Sequence, residues 1–234
     1  MKFVFFDLDN TLTDRKATIS AYADHFASEF QHQLIKDMPK GYLATVFNEI
    51  DNGGYKTHKQ RFTAIAALHI WLKPKKIDEL SDHWQQWVPN NSKAMAGMKT
   101  CLDKLLTMGF RLCLVSNAQN ANNQRAKLKR LLIENYFDSI IISAEVGIEK
   151  PDKRIFELAL KTMKANVAES FFIGDHPIND YQGSYKLGFK SIWLEGSHSW
   201  PQNLNLETPL KIKHLSELCP LIEQLKKVKY KLVG

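Results

Sequence analysis

The first fourteen residues, MKFVFFDLDNTLTD, constrain the fold of this 234-residue chain more than any other stretch. An apolar run at residues 3–6 shows no polar alternation and ends abruptly at Asp7, and a second carboxylate follows at Asp9. A short unbroken apolar run predicts a strand buried on both faces, as in a parallel sheet covered by helices. Side chains two apart on a strand point to the same side, so we expect Asp7 and Asp9 to converge just past the strand's carboxyl end, where open α/β sheets bind ligands.

This pair of carboxylates has two interpretations. Neighbouring carboxylates repel each other unless a cation, a proton or hydrogen bonds compensate, which favours a divalent-metal site in which one carboxylate is also a nucleophile. Asp, Asn and Thr are also common in turns after strands, so the motif fits an ordinary turn equally well. On this motif alone, both interpretations stay open.

Length and composition set broad limits. A chain of 234 residues holds one large domain or one domain with a smaller insertion, and 44% apolar with 24% charged residues is ordinary for a soluble globular enzyme. No apolar run is long enough to span a bilayer, and the N-terminal run is too short for a signal-peptide core. The three cysteines are odd in number and widely spaced, which does not indicate a disulfide framework. We therefore expect a cytoplasmic protein.

The net charge is +7, and four lysines near the end of the chain contribute to it: Lys226, Lys227, Lys229 and Lys231. A basic balance is compatible with anionic substrates or with weak, nonspecific nucleic-acid binding. A solvated helix face and a frayed tail explain the lysines more simply, and the sequence contains no recognition-helix, zinc or aromatic-basic motif. We expect a small-molecule substrate, no nucleic-acid or membrane partner, and a monomer or homodimer.

The sequence pattern of residues 15–90 predicts a small all-helical domain. Apolar residues recur at helical spacing and predict four helices, around residues 21–30, 43–50, 57–71 and 77–87. A breaker, Asp51-Asn52-Gly53-Gly54, separates the second helix from the third. Three tryptophans in this block, Trp71, Trp84 and Trp87, fall at helical spacing, which favours packing inside the domain over stacking on a ligand.

From residue 94 onward, predicted strands alternate with helices, which is typical of parallel βαβ units. The predicted strands lie at residues 111–115, 140–142, 171–173 and 190–194. The predicted helices cover residues 97–108, 119–133 and 215–227; another begins at residue 151 or 152, and a further one ends at residue 187. Residues 195–210 are predicted to form a loop. Together with the N-terminal strand, the pattern predicts an α/β, Rossmann-like doubly wound parallel sheet core of residues 1–14 and 91–234.

Polar side chains follow the ends of several predicted strands: Asp7, Asp9, Ser116, Asn117, Lys150, Asp175 and Asp180. Each one alone fits a turn, a helix cap or a solvated surface residue. In a parallel sheet all these strand ends lie on one edge, so residues far apart in sequence are expected to meet in one crevice, as an active site requires. This shared placement favours a functional site over a series of coincidences.

These residues resemble the four motifs of the haloacid-dehalogenase-like (HAD) superfamily of phosphatases and phosphotransferases. DLDNT, which begins at Asp7, resembles D-x-D-x-T; Ser116-Asn117 resembles the second motif, Lys150-Pro151 the third, and Gly174-Asp175-His176-Pro177-Ile178-Asn179-Asp180 the fourth, G-D-x(4)-D. One such match is weak, but four in family order at strand ends make a specific resemblance that spans nearly the whole core. Asn10 and His176 stand where other residues are frequent in the family.

The resemblance implies a role for each motif residue. Asp7 would attack phosphorus to give an aspartyl-phosphate, and Asp9 would protonate the leaving oxygen and then activate water. Mg²⁺ would be held by Asp7, the Asp9 backbone carbonyl and Asp175, with Asp180 a ligand directly or through water. Phosphoryl oxygens would be bound by Lys150 and the Ser116 hydroxyl, while Thr11 and Asn117 would orient the loops and contact phosphate from the backbone.

The resemblance also implies that residues 15–90 form a mobile lid, or cap, that excludes water and reads the leaving group. The loop of residues 51–59 and the residues just after it are the expected substrate contacts, and Lys56 or Arg61 would pair with a second anionic group. For each of these residues, a solvated loop or helix face remains an equal alternative.

The expected function is a Mg²⁺-dependent phosphatase acting on a small phosphomonoester such as a nucleotide, flavin mononucleotide, phosphoglycolate or a sugar phosphate. A dehalogenase is disfavoured because Asp9 supplies an acid/base that halide displacement does not need. The alternatives are a phosphomutase or phosphotransferase on the same site, and a noncatalytic binding protein on this fold.

Overall fold

A computed structural model describes residues 2–202, 204 and 209–231, without the side chains of residues 227–231. The chain divides into two compact units, which we name the sheet unit (Met1–Thr13 and Ala94–Gly234) and the helical unit (Asp14–Lys93). The sequence placed these boundaries after residues 14 and 90. At the two passages between the units, the short strands β2 (Thr13–Asp14) and β3 (Lys93–Ala94) form a two-stranded sheet.

The sheet unit contains a six-stranded sheet in the order β5-β4-β1-β6-β7-β8. Its strands are β1 (Lys2–Phe6), β4 (Phe110–Ser116), β5 (Ser139–Ile142), β6 (Ser170–Gly174), β7 (Lys190–Leu194) and β8 (Lys211–Ile212). Every neighbouring pair is parallel. The predicted α/β parallel core is confirmed, and β1 lies at its centre, between β4 and β6. The edge strand β8 has only two residues, too few to show a sequence pattern.

Helices connect these strands and cover both faces of the sheet. They are α5 (Met98–Thr107), α6 (Ala121–Leu131), α7 (Ser143–Val146), α8 (Lys153–Met163), α9 (Gly183–Leu187) and α10 (Leu218–Lys231), with a π-helical turn at Pro177–Gln182. Alternate residues of β1 point to opposite faces: Val4 and Phe6 belong to one apolar cluster, Phe3 and Phe5 to the other. The unbroken apolar run at the N-terminus therefore reflects a strand buried on both faces.

The helical unit is built from α1 (Arg15–Glu29), α2 (Tyr42–Asp51), α3 (His58–Ala66) and α4 (Ile77–Trp87). These helices pack around one apolar cluster that includes the buried side chains of Tyr22, Phe26 and Phe47. Trp84 is buried in this cluster, and Trp71 and Trp87 pack against it.

One helix boundary in this unit was predicted wrongly. The third helix was expected to reach Trp71, but α3 ends at Ala66. The chain after it pairs instead with the segment around Leu34, through an isolated antiparallel bridge between Leu34 and Trp71. The Trp71 indole N–H also donates to the Ile65 carbonyl at 3.0 Å, so a carbonyl near the end of α3 is satisfied by a side chain. Tertiary pairing here outweighs helical periodicity.

In the part of the chain that the structure describes, no helix has both the length and the apolar character needed to cross a membrane. Of the four lysines near the chain's end, the side chains of Lys227, Lys229 and Lys231 lie outside the described residues, so their predicted solvation remains a prediction.

Candidate active site

Asp7 is the first residue after β1 and still follows the geometry of the sheet. Its backbone N–H donates to the Ile173 carbonyl of β6 at 2.9 Å. The chain then turns tightly, because the Leu8 carbonyl accepts the N–H groups of both Leu12 (2.8 Å) and Thr13 (2.9 Å). Asn10 lies in this turn at φ 61°, a left-handed conformation that Asn adopts more readily than most residues. The turn holds Asp7 at the carboxyl edge of the sheet.

Lys150 is the cation at the centre of the site. Its Nζ lies 2.7 Å from Asp7 Oδ1 and 2.7 Å from Asp180 Oδ1, and it donates to the Val115 carbonyl at 2.8 Å. The side chain is buried. One ammonium group therefore makes three interactions with residues from three different segments of the chain.

Three buried carboxylates, those of Asp7, Asp175 and Asp180, share this site. One oxygen from each can be chosen so that all lie within 4.8 Å of one another. Asp180 is also held by the His176 backbone N–H, which donates to Oδ2 at 3.0 Å, and Asp175 Oδ2 lies 3.2 Å from His198 Nε2. The Trp193 indole N–H donates to the Asp175 carbonyl at 2.8 Å, which fixes the loop after β6.

Burial and mutual repulsion shift the pKa values of these groups. Burial raises the pKa of Asp7 to about 8; Lys150 opposes this shift, and the neighbouring Asp180 and Asp175 add to it. Burial likewise raises the pKa of Asp175 to about 6, against the effect of His198. Burial alone would lower the pKa of Lys150, but Asp180 and Asp7 together raise it above its ordinary value. The Lys150 ammonium group is thus stabilised in its charged form, whereas the positive charge nearby is too small to stabilise the charged forms of Asp7 and Asp175 fully.

A divalent cation fits this donor set. Three carboxylates face a single lysine, and hard oxygen ligands of this kind suit Mg²⁺. The raised carboxyl pKa values have the same physical origin, namely too little compensating charge in a buried site. The carboxylate of Asp9 does not belong to this group; the predicted Mg²⁺ ligand from that residue is its backbone carbonyl.

Ser116 and Asn117, at the end of β4, connect the second motif to the third. The Asn117 side-chain amide donates to the Lys150 carbonyl and accepts the Lys150 backbone N–H, both at 2.8 Å. Ser116 is buried, and its hydroxyl accepts a hydrogen bond from Gln124 Nε2 at 2.8 Å. Asn117 therefore fixes the backbone that carries Lys150, while Ser116 lies beside it at the strand end.

Asp9 points toward α6. Lys127 Nζ lies 2.7 Å from each of its carboxylate oxygens. Gln124 Nε2 donates to Asp9 Oδ2 at 3.0 Å, and the Thr13 hydroxyl donates to Oδ1 at 3.1 Å. The Asp9 side chain nevertheless remains 26% exposed, which leaves it accessible to a ligand.

Thr11 is fully buried, and its hydroxyl oxygen has no hydrogen-bond partner among the described residues. A buried hydroxyl without a partner is uncommon in folded proteins. This feature sets Thr11 apart from an ordinary turn threonine.

The helical unit holds the two predicted substrate contacts in different surroundings. Lys56 is exposed. Arg61 is only 4% exposed; its Nε lies 2.9 Å from Asp51 Oδ1, and it donates to the Lys56 carbonyl at 3.2 Å. Asp51 also receives two hydrogen bonds from Arg15, at 2.7 and 2.8 Å. Arg61 is thus part of a buried charge cluster, whereas Lys56 is available to a ligand.

Among the described residues whose side chains contact motif side chains, sequence reasoning missed Gln124, Lys127, His198 and Thr13. The first two offered a signal that was not used. They lie in the same stripe of α6 as the buried Leu128, and polar residues at buried helical positions are rare enough to indicate a specific partner. His198 lies in a stretch predicted as a loop, where no pattern indicates a partner.

The chain is similar to several known proteins. Residues 4–194 match the family model described as haloacid dehalogenase-like hydrolase. The chain is 26% identical over 196 residues to the glyceraldehyde 3-phosphate phosphatase of Pyrococcus abyssi, an alignment that covers 83% of this chain and 82% of that protein. It is 34% identical over 216 residues to the pyrimidine 5'-nucleotidase YjjG of Escherichia coli, covering 84% of this chain and 87% of that protein.

A solved structure of similar fold is that of the HAD-hydrolase YfnB from Bacillus subtilis, bound to magnesium. It matches with a TM-score of 0.75 and 20% identity, covering 94% of this chain and 97% of that chain. At this level of identity, the likeness is one of fold alone.

Proposed function

The chain belongs to the haloacid dehalogenase-like hydrolase family, and on that premise we propose that it is a Mg²⁺-dependent phosphatase of small phosphate monoesters. One observation carries the proposal: the Asp7 carboxylate lies 2.7 Å from Lys150 Nζ within a buried group of three carboxylates. A nucleophile, a cation and a divalent-metal donor set thus occur together. The names of the similar proteins, a glyceraldehyde 3-phosphate phosphatase in Pyrococcus abyssi and a pyrimidine 5'-nucleotidase in Escherichia coli, support the same reaction class.

In the first step of this proposal, a carboxylate oxygen of Asp7 attacks phosphorus. The bond between phosphorus and the ester oxygen breaks, and the alcohol leaves with a proton from Asp9. Lys150 binds a phosphoryl oxygen and offsets the negative charge that Asp7 brings to the reacting centre. The Ser116 hydroxyl donates to a second phosphoryl oxygen.

In the second step, Asp9 takes a proton from a water molecule as the water oxygen attacks the phosphorus of the aspartyl-phosphate. Inorganic phosphate leaves, and the Asp7 carboxylate is restored. Asp7, Asp175, Asp180 and the Asp9 carbonyl would hold Mg²⁺, which when bound supplies positive charge to the phosphoryl oxygens.

The proposed substrates are soluble monoesters such as nucleotides, flavin mononucleotide, phosphoglycolate or sugar phosphates. We assign recognition of the leaving group to the helical unit, as the family resemblance implies. Lys56 is the preferred contact for a second anionic group because it is exposed; Arg61 is the second choice because Asp51 already pairs with it. For a substrate with a second anion, Lys56→Met should raise KM and leave kcat unchanged.

The experiment is phosphate release from a panel of phosphorylated metabolites by the wild type, Asp7→Asn and Asp138→Asn, with Mg²⁺ and with a chelator. Asp138 is an exposed carboxylate outside the site and serves as the matched control. We expect Mg²⁺-dependent release by the wild type and by Asp138→Asn, and loss of at least about a thousandfold in Asp7→Asn, since the nucleophile is removed. Acid-quenched wild type should retain labelled phosphate from a radiolabelled substrate.

Other outcomes would redirect the proposal. Near-normal activity of Asp7→Asn would exclude the covalent mechanism. Transfer of the phosphoryl group to a sugar phosphate, without net release, would identify a phosphomutase or phosphotransferase. No phosphate release from any ester, with or without Mg²⁺, would favour a noncatalytic binding protein.

A further inference from the structure

Two residues of α6, Gln124 and Lys127, contact side chains of the proposed mechanism. These are Asp9, which transfers the proton, and Ser116, which donates to a phosphoryl oxygen. Lys127 Nζ lies 2.7 Å from both oxygens of Asp9. Gln124 Nε2 lies 3.0 Å from Asp9 Oδ2 and 2.8 Å from the Ser116 hydroxyl. Neither residue belongs to the four motifs. Both contact Asp9, which lies more than a hundred positions earlier in the chain, and Gln124 also contacts Ser116, the last residue of β4.

The burial of Lys127 indicates a specific role. Its side chain is only 9% exposed, and removing an ammonium group from water is costly unless a carboxylate and good geometry compensate. A leucine at this position would pack on the helix without that cost. The symmetric contact of Lys127 with both Asp9 oxygens instead fixes the position of the carboxylate, while the Gln124 amide and the Thr13 hydroxyl each hold one of its oxygens.

Gln124 links the acid/base to the phosphate-binding hydroxyl. Its amide nitrogen carries two hydrogens, which is enough for its two shorter contacts, to Asp9 and to Ser116; the Asn117 carbonyl is a third, more distant acceptor at 3.3 Å. The Ser116 oxygen accepts the amide hydrogen, and its own proton is directed at the Asn117 carbonyl at 3.5 Å, a long contact that a phosphoryl oxygen can replace. A single amide group therefore contacts both motif residues and contributes to the orientation of each.

The helix makes this arrangement rigid. Gln124 and Lys127 are three positions apart and therefore neighbours on one face of α6. The adjacent Leu128 is fully buried in the apolar cluster that also contains Val4 and Phe6, and it anchors this face of the helix. From this rigid helix, Lys127 contacts Asp9, which follows β1, and Gln124 contacts both Asp9 and Ser116 at the end of β4.

We propose that Gln124 and Lys127 are positioning residues that hold the Asp9 carboxylate and the Ser116 hydroxyl in line with the scissile phosphate ester. The inference rests on the proposed function. Its consequence concerns the leaving group: an alkyl leaving group needs a proton delivered by a well-placed acid, whereas a para-nitrophenolate leaves without one. Loss of the positioning residues should therefore slow the first step, formation of the aspartyl-phosphate, far more for alkyl esters than for aryl esters, and kcat/KM measures that step.

The test compares kcat and KM of the wild type, Lys127→Met, Gln124→Leu and Gln124→Glu on an alkyl phosphate substrate and on para-nitrophenyl phosphate. We expect kcat/KM on the alkyl ester to fall roughly tenfold to hundredfold, as for a misplaced catalytic group, with a much smaller change in kcat/KM on the aryl ester. This ratio includes only the steps up to departure of the alcohol, so the hydrolysis of the aspartyl-phosphate, which both esters share, does not enter it. Lys129→Met is the matched control, an exposed lysine on the same helix, and should behave as the wild type.

Gln124→Glu keeps the shape of the side chain but replaces the donor with an acceptor that repels Asp9, so it tests orientation even where Lys127→Met fails to fold. An equal loss of kcat/KM on both esters in a folded variant indicates a structural role and overturns the inference, as does an unchanged kcat/KM on the alkyl ester. Failure of the proposed function is recognised separately: the wild type is then inactive on both esters, or Asp7→Asn is as active as the wild type.

Discussion

Asp180 packs its carboxyl group against the α-carbon of Gly174, in the space that a β-carbon at position 174 would occupy. Gly174 ends β6, and Asp180 is held in place by Lys150 at 2.7 Å and by the His176 backbone N–H at 3.0 Å. The glycine is required here by close approach and not by an unusual backbone conformation, because its φ is not in the left-handed region. The first and last residues of the fourth motif are thus in direct contact.

Gly174→Ala should displace Asp180 and weaken the site. We expect a cost of about 1–3 kcal/mol in the free energy of unfolding, as for overpacking, and a fall in kcat of at least tenfold because a proposed Mg²⁺ ligand moves. Gly109→Ala is the control: its β-carbon meets no atom within 4 Å, and its φ of +79° imposes only backbone strain. Chemical denaturation and kinetics of both variants check this, and full activity in Gly174→Ala would contradict it.

Lys150→Met should destabilise the sheet unit by about 3–5 kcal/mol, because Asp7 and Asp180 would remain buried without their cation. Adding Asp7→Asn to Lys150→Met should recover part of that loss, since one of the two uncompensated carboxylates is then removed. Urea denaturation of the single and double variants measures both effects. Lys153→Met, whose side chain is 73% exposed, should change the free energy of unfolding by less than about 0.5 kcal/mol.

The metal-free protein should lose stability as pH rises from roughly 4 to 8. The folded pKa values of Asp7, about 8, and Asp175, about 6, lie above the ordinary value of 3.8, so the folded state retains protons that the unfolded state releases. This contribution is fully present below the ordinary carboxyl pKa and is lost as pH passes through the folded values. Thermal unfolding in a chelator, at a series of pH values, measures the slope, which should be smaller in Asp7→Asn.

Mg²⁺ should raise the melting temperature, and more so at pH 8 than at pH 5, because the proposed ligands must be deprotonated to bind it. At a concentration a hundred times Kd, the stabilisation should be about 2.7 kcal/mol, or a shift of roughly 5–10 °C for a chain of this size. Asp175→Asn should reduce the shift strongly. An equal shift in wild type and Asp175→Asn would show that the cation binds elsewhere.

Asp51→Asn should destabilise the helical unit by about 3–5 kcal/mol, because Arg15 and Arg61 would lose the carboxylate that pairs with both guanidinium groups. Asp82→Asn provides a matched exposed aspartate in the same unit and should have almost no effect. Hydrogen exchange resolved by segment can separate this unit from the sheet unit. Faster exchange confined to residues 15–92 is the expected result, and unchanged protection of α1–α4 would contradict it.

Local patterns in the sequence were enough to predict the parallel core. The unbroken apolar run before Asp7 requires a strand covered on both faces, and the alternation of strands with helices after residue 94 requires a parallel sheet. The edge strand β8 was beyond such reasoning, since two residues carry no periodicity. The early end of α3 at Ala66 was also missed, because pairing between Leu34 and Trp71 depends on residues far apart in the chain.

By itself, the sequence determined which residues end the central strands, because burial and periodicity act over a few neighbouring positions. Only the tertiary structure decided their partners: Lys127 for Asp9, 118 positions away, and Lys150 for Asp7, 143 positions away. The pairing of His198 with Asp175 and of Arg61 with Asp51 was decided in the same way. Ion pairs and hydrogen bonds form over about 3 Å, and such distances between distant residues are set by packing of whole helices and strands, which no local pattern encodes.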